Sequence, residues 1–195
     1  MRRQVAAGIA AWLAVVGLAA LAGPYAPALL LAVPVLAPLV AFGMLWGRLR
    51  ALRAWALGLD LRPLTWLHVW RLVAGAGLLF LYREGRLPWR LGLAHGLLAL
   101  VLGVTAPLVA RWAGAATIGR LATLFAWHGA GALSLVALAI TALRLAGQGD
   151  ERVAVLTTFP WSLLPGFVGP AAFLTHAVAL TIIWERPLAR TRLTR

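Results

Sequence analysis

Six stretches of this chain run for about twenty residues with hardly a charge in them, the length a helix needs to cross the hydrocarbon core of a bilayer. They cover approximately Gln4–Ala22, Pro27–Trp46, Leu64–Tyr82, Trp89–Ala110, Ile118–Leu145 and Pro160–Trp184. Barrel strands would alternate apolar and polar residues, and these runs do not. The fold class expected is therefore all-α: a six-helix transmembrane bundle forming a single integral membrane domain over residues 1–195. Charged residues make up 12% of the chain, about half the share of a soluble domain. The connections are short and leave no room for a soluble domain.

All eighteen basic residues are arginine, against five acids, for a net charge of +13. Such an excess can mark a nucleic-acid binder, but here the arginines punctuate apolar runs, so nucleic acid is excluded as a partner and the bilayer is expected instead. With the N-terminus in the cytoplasm, Arg2, Arg3, Arg48, Arg50, Arg53, Arg62, Arg111, Arg120, Arg186, Arg190, Arg192 and Arg195 fall on the inner side. Only Arg83, Arg86, Arg90, Arg144 and Arg152 fall on the outer side, and Arg71 sits within a span. That bias places both termini in the cytoplasm, in a bacterial cytoplasmic (inner) membrane. Trp46, Trp66, Trp89, Trp112, Trp161 and Trp184 lie near span ends, where an amphipathic ring is at home. The absence of cysteine removes iron–sulfur clusters, thiol catalysis and disulfides, and the absence of lysine removes Schiff-base chemistry.

Two segments carry a second reading. Arg2-Arg3, the following apolar run and Ala20-Leu-Ala22 resemble a secretory signal, but the run is longer than such signals use, so it is expected to stay as a span. The Gly47–Pro63 connection, with Arg48, Arg50 and Arg53 among leucines and Trp55, reads either as a surface-lying helix or as a solvated loop.

Helices in lipid pack through small residues. Gly92, Gly96, Ala99, Gly103, Ala106 and Ala110 make such a stripe on the fourth span, and Gly166, Gly169 and Ala172 another on the sixth. Gly131 and Ser134 share a face of the fifth. Pro34 and Pro38 on the second span, and Pro165 and Pro170 on the sixth, should bend their helices and free backbone carbonyls.

Aspartate and glutamate are missing from the span interiors, which argues against a carboxylate proton relay. Four histidines and one arginine remain. At 1.5 Å per residue, His68 sits about 6 Å, Arg71 about 10 Å, His176 about 12 Å and His128 about 15 Å from the cytoplasmic edge. Those four can share a layer as a ligand-binding set. His95, about 9 Å below the opposite edge, is a secondary candidate. A packing account has Arg71 reaching headgroups or freed carbonyls, with each histidine bonded to a neighbouring helix. A site account takes one of three forms. Haem b would use two of His68, His128 and His176 as axial ligands, with Arg71 on a propionate. Zn or Cu would use all three imidazoles. A small polar or lipid-like ligand would use Arg71 as its anion anchor. No His-x-x-x-His or His-Glu-x-x-His spacing selects among them.

Three segments resemble a family of small polytopic bacterial membrane proteins to which no activity is attached. They are His68-Val-Trp-Arg71 through Phe80-Leu81 with Gly85-Arg-Leu-Pro88, then Leu91–Pro107, and lastly Phe159-Pro-Trp-Ser-Leu-Leu-Pro165 to Phe173-Leu-Thr-His176. Trp127-His128 stands where the family commonly has Trp-Asn. The likeness covers about Leu64–Leu180. It implies a helical membrane fold and a shared polar set at positions 68, 71, 128 and 176. Acids of the family's fourth and fifth helices correspond to Ala99 and Ser134 here, while His95 and His128 replace non-histidine residues. On that resemblance this chain has lost a proton- or cation-handling feature or exchanged it for imidazole chemistry.

The function expected is that of a non-enzymatic membrane protein with a His/Arg pocket near the cytoplasmic leaflet, binding a small polar or lipid-like ligand or taking part in transport. The alternatives are a haem b electron carrier or oxidoreductase membrane subunit, and a structural or assembly subunit. A membrane-protein partner or a homo-oligomer is compatible with each.

Overall fold

Backbone amides inside hydrocarbon have no water to bond, so an apolar run must satisfy its own N–H and C=O groups, and helices do this. The apolar runs are accordingly helical in the computed structural model. It describes the backbone of residues 1–21, 29–113 and 117–193 and the side chains of 1–18, 36–113 and 117–185. The expected turn at Gly23–Pro27, Ala22, the side chains of Ala20 and Leu21, the Pro34 ring and the side chains from Arg186 onward lie outside the described residues.

In chain order the helices are α1 (Arg2–Leu21), α2 (Leu29–Arg48), α3 (Arg50–Leu57), α4 (Leu61–Trp66), α5 (Arg71–Arg83), α6 (Trp89–Ala110), α7 (Ile118–Gly147) and α8 (Gly169–Leu193), with no strand among the described residues. Four segments among the described residues are long and apolar enough to cross a membrane: Leu61–Arg83, Trp89–Ala110, Ile118–Gly147 and Leu164–Glu185. Large apolar side chains face outward, Val73 at 77% and Leu133 at 70% exposure, while Thr65, His68, Arg71, His128, Ser134 and His176 are buried. That inversion is what a lipid-facing surface requires. The chain is a multi-pass membrane protein with a buried His/Arg cluster.

Two boundaries differ from the sequence expectation. The third span starts at Leu61, where Asp60 caps α4 by accepting from the Arg62 amide at 3.0 Å. It is also not one straight helix, because Leu67–Trp70 winds as a 3₁₀ turn between α4 and α5. The sixth begins at Leu164 rather than Pro160. Trp161 belongs to the connection, where its ring packs over Gly77 of α5. The Gly47–Pro63 connection holds α3, with Leu52 and Ala56 four apart on its buried face. Arg53 of α3 bonds Glu185 of α8 at 2.7 Å and ties the short helix to the bundle.

The stripe on α6 lets two backbones meet. A methyl at Gly75 of α5 would lie 2.8 Å from the Gly96 carbonyl oxygen and 3.0 Å from the Leu100 amide nitrogen. One at Gly103 would lie 2.8 Å from the Leu72 amide nitrogen. The prolines at the start of the sixth span act on the backbone as expected. Leu164–Val168 forms a π turn, and Pro170 has no N–H to give the Gly166 carbonyl four residues back. That carbonyl accepts instead from Trp12 Nε1 at 3.0 Å, which fastens α1 to the bundle.

Candidate functional site

Two runs of three-residue spacing aim polar groups at one point. Thr65, His68 and Arg71 follow one another at intervals of three through the 3₁₀ turn, where side chains at i and i+3 eclipse. His128, Gly131 and Ser134 do the same along α7, and His176 arrives from α8. His68, His128 and His176 are fully buried and Arg71 is 4% exposed. The His68 and His176 rings stack with centroids 3.8 Å apart and an interplanar angle of 11°. The His128 and His176 centroids are 5.1 Å apart.

The hydrogen bonds fix where the protons sit. Arg71 can only donate, so His176 Nε2, 3.2 Å from Nη1, accepts. The neutral His176 ring then carries its proton on Nδ1 and donates to His128 Nδ1 at 2.9 Å. His128 is left with its proton on Nε2, which it gives to Thr65 Oγ1 at 3.1 Å. Thr65 in turn donates to the Leu61 carbonyl at 2.7 Å. The bonds run one way, from guanidinium through two imidazoles and a hydroxyl to a backbone carbonyl. Arg71 Nη2 also donates to Ser134 Oγ at 2.7 Å, and Nη1 reaches the Gly131 carbonyl at 3.4 Å. His68 stands beside this chain. Thr175 donates to the Ala172 carbonyl, so His68 Nε2–H donates to Thr175 Oγ1 at 3.2 Å and its Nδ1 is left without a partner among the described residues.

This arrangement decides which groups the cluster can hold. The three imidazoles offer nitrogens within 4.8 Å of one another, the count a zinc or copper ion would want. The protons and charges do not fit one. A metal on His176 Nδ1 would displace the proton that His128 accepts, while Nε2 stays committed to Arg71, leaving an imidazolate. It would also add two positive charges beside a guanidinium that pairs with none of the chain's five acids. Haem b fits no better. Two imidazoles holding it would have to stand apart on opposite sides of a flat macrocycle, whereas His68 lies ring on ring with His176, His128 bonds His176 directly, and the His68 and His128 rings meet edge to face with centroids 5.8 Å apart.

Beside the cluster lies a cavity of about 290 Å³. Arg71 and Ser134 stand at one end, and the walls are otherwise nearly all apolar, with Leu78, Leu138 and Phe173 among them. Leu36, Val136 and Ile140 at its rim are 40–52% exposed, so among the described residues it opens sideways toward the lipid-facing surface.

Of the candidates read from sequence, His68, Arg71, His128 and His176 come together here. His95 does not join them; its Nε2 lies 3.2 Å from Thr141 Oγ1, although its ring lines the same cavity as Arg71. Thr65, Thr175, Gly131 and Ser134 were not among the expected site residues. Thr65 and Thr175 bond the rings and Gly131 makes room for one, while Gly131 and Ser134 both read from sequence as packing residues. The signal for most of them was in the spacing, at intervals of three from His68 and from His128. Comparison with protein-family models, with curated proteins and with solved structures finds no match for this chain.

Proposed function

We propose that this chain is a six-span inner-membrane protein, both termini cytoplasmic, that draws an amphipathic anion from the bilayer into the cavity and holds its charged head on Arg71. One observation carries the reading: a guanidinium buried in the bundle, paired with none of the chain's five acidic side chains, stands in a cavity whose walls are nearly all apolar. Arginine at membrane depth costs about 2.5–3.5 kcal/mol on insertion scales. Burying one without a counter-ion makes sense where a ligand supplies the charge. A monoanion brings the site to neutrality, and its tail replaces lipid contacts with contacts to leucine and phenylalanine. The opening among Leu36, Val136 and Ile140 supports delivery from the lipid side. The family resemblance over Leu64–Leu180 belongs to the same proposal. Where that family places an acid, Ser134 offers Arg71 a neutral hydroxyl, which leaves its charge for a bound anion.

Decanoate binding to the protein in nanodiscs tests this. Charge-assisted hydrogen bonds contribute about 1.5–3 kcal/mol, so Arg71→Gln should weaken decanoate by roughly ten- to a hundredfold. Equal affinity in the variant and the parent removes the anion site and leaves a packing role for Arg71.

The topology has its own check, made clean by the absence of cysteine. In sealed inverted vesicles, whose outer surface is the cytoplasmic face, an impermeant maleimide should label Arg62→Cys and spare Arg86→Cys. The opposite pattern reverses the assigned orientation.

A further inference from the structure

Resting on the anion site just proposed, we infer that the natural ligand carries a second polar group, a hydrogen-bond donor about 10 Å from its anionic head, and that His95 receives it. Thr141 gives its hydroxyl proton to the Ala137 carbonyl at 2.7 Å. His95 Nε2, 3.2 Å from Thr141 Oγ1, must therefore donate to it. The neutral ring then has its proton on Nε2, and Nδ1 is a bare acceptor with no partner among the described residues. The ring lines the cavity whose other polar end is Arg71 and Ser134.

The spacing comes from α7. Ser134 and Thr141 lie seven residues apart, two turns on one face, or about 10 Å along the axis. Leu135, Leu138 and Ala139 line the cavity wall over that interval, and no acid lines it. The site thus presents a cationic donor at one end, an apolar stretch, and a neutral acceptor beyond it. A cationic donor on the ligand would find no counter-charge, so a hydroxyl is the fitting group. The ligand class is a hydroxy-substituted monoanionic amphiphile, an ω-hydroxy acid of medium chain length being the simplest member.

The test compares ω-hydroxydecanoate, whose extended chain exceeds that spacing and meets it with a gauche bend, with decanoate on the full chain in nanodiscs by calorimetry. One added hydrogen bond is worth about 0.5–1.5 kcal/mol, so the hydroxy acid should bind roughly two- to twelvefold more tightly. In His95→Leu the ratio of the two affinities should fall to about one, and in Arg71→Gln both acids should weaken together. A mid-chain hydroxy isomer measured on the unaltered protein should bind more weakly than decanoate, since its hydroxyl meets apolar wall. Equal affinities for the hydroxy acid and decanoate, or an advantage that survives His95→Leu, overturn the inference while the Arg71 site stands. If neither acid binds, the anion site itself is lost, and this inference with it.

Discussion

Alanine at position 131 is expected to cost the folded protein about 3 kcal/mol, from overpacking and two disturbed hydrogen bonds together. The added methyl would clash with the His176 ring at Cε1 and Nε2, so the imidazole has to leave its place or α7 and α8 have to separate. Moving the ring breaks its bonds to Arg71 and to His128 at once. Equilibrium unfolding in mixed micelles, followed by tryptophan fluorescence, measures the loss. Adding His176→Ala to Gly131→Ala should destabilise by less than the sum of the two single changes, because both act on one contact. A Gly131→Ala protein within about 0.5 kcal/mol of the parent, the range of an ordinary surface change, would mean that α7 does not approach the ring this closely.

Alanine at Gly75, Gly77 and Gly129 should separate into three outcomes that depend on what the methyl meets. At Gly75 it meets backbone of α6, which no rotamer change can clear, and a cost of about 3 kcal/mol is expected. At Gly77 it meets the Trp161 ring edge at 2.8 Å, the far part of a side chain that can turn aside, for about 1 kcal/mol. At Gly129 nothing lies within 4 Å, and the better helix former should stabilise by up to about 1 kcal/mol. The same unfolding measurement ranks them. If Gly75→Ala costs as little as Gly77→Ala, the contact between α5 and α6 is not made by backbone; if Gly77→Ala costs as much as Gly75→Ala, the Trp161 ring is held in place.

Part of the site could be read before any coordinates. The depths of His68, Arg71, His128 and His176 follow from counting 1.5 Å steps along each span, and that arithmetic puts them in one layer and His95 in another. Small residues on α6 read as a packing stripe because lipid supplies no hydrophobic drive between helices. The third span starts three residues before the expected Leu64, where Asp60 caps α4, and counting steps also misses a change of pitch within it. Counting assumes one pitch throughout, and the 3₁₀ turn at Leu67–Trp70 has a different one. The sixth span failed at its start for another reason. Pro160 and Trp161 are apolar enough to belong to a span, yet they sit in the connection over α5.

The sequence alone determined that the chain is helical, that it is made for lipid, and which few polar groups lie within it. Each of those rests on composition and on a fixed rise per residue, properties local to a segment. Only the tertiary structure decided what the polar groups do together. The direction of the hydrogen bonds from Arg71 through His176 and His128 to Thr65 depends on which atom faces which across four helices. The poor fit of a metal depends on those same protons and on a guanidinium without an acid beside it. The cavity that joins Arg71 to His95 depends on how five spans and the connection holding Leu156 leave space between them, and no single segment encodes a void.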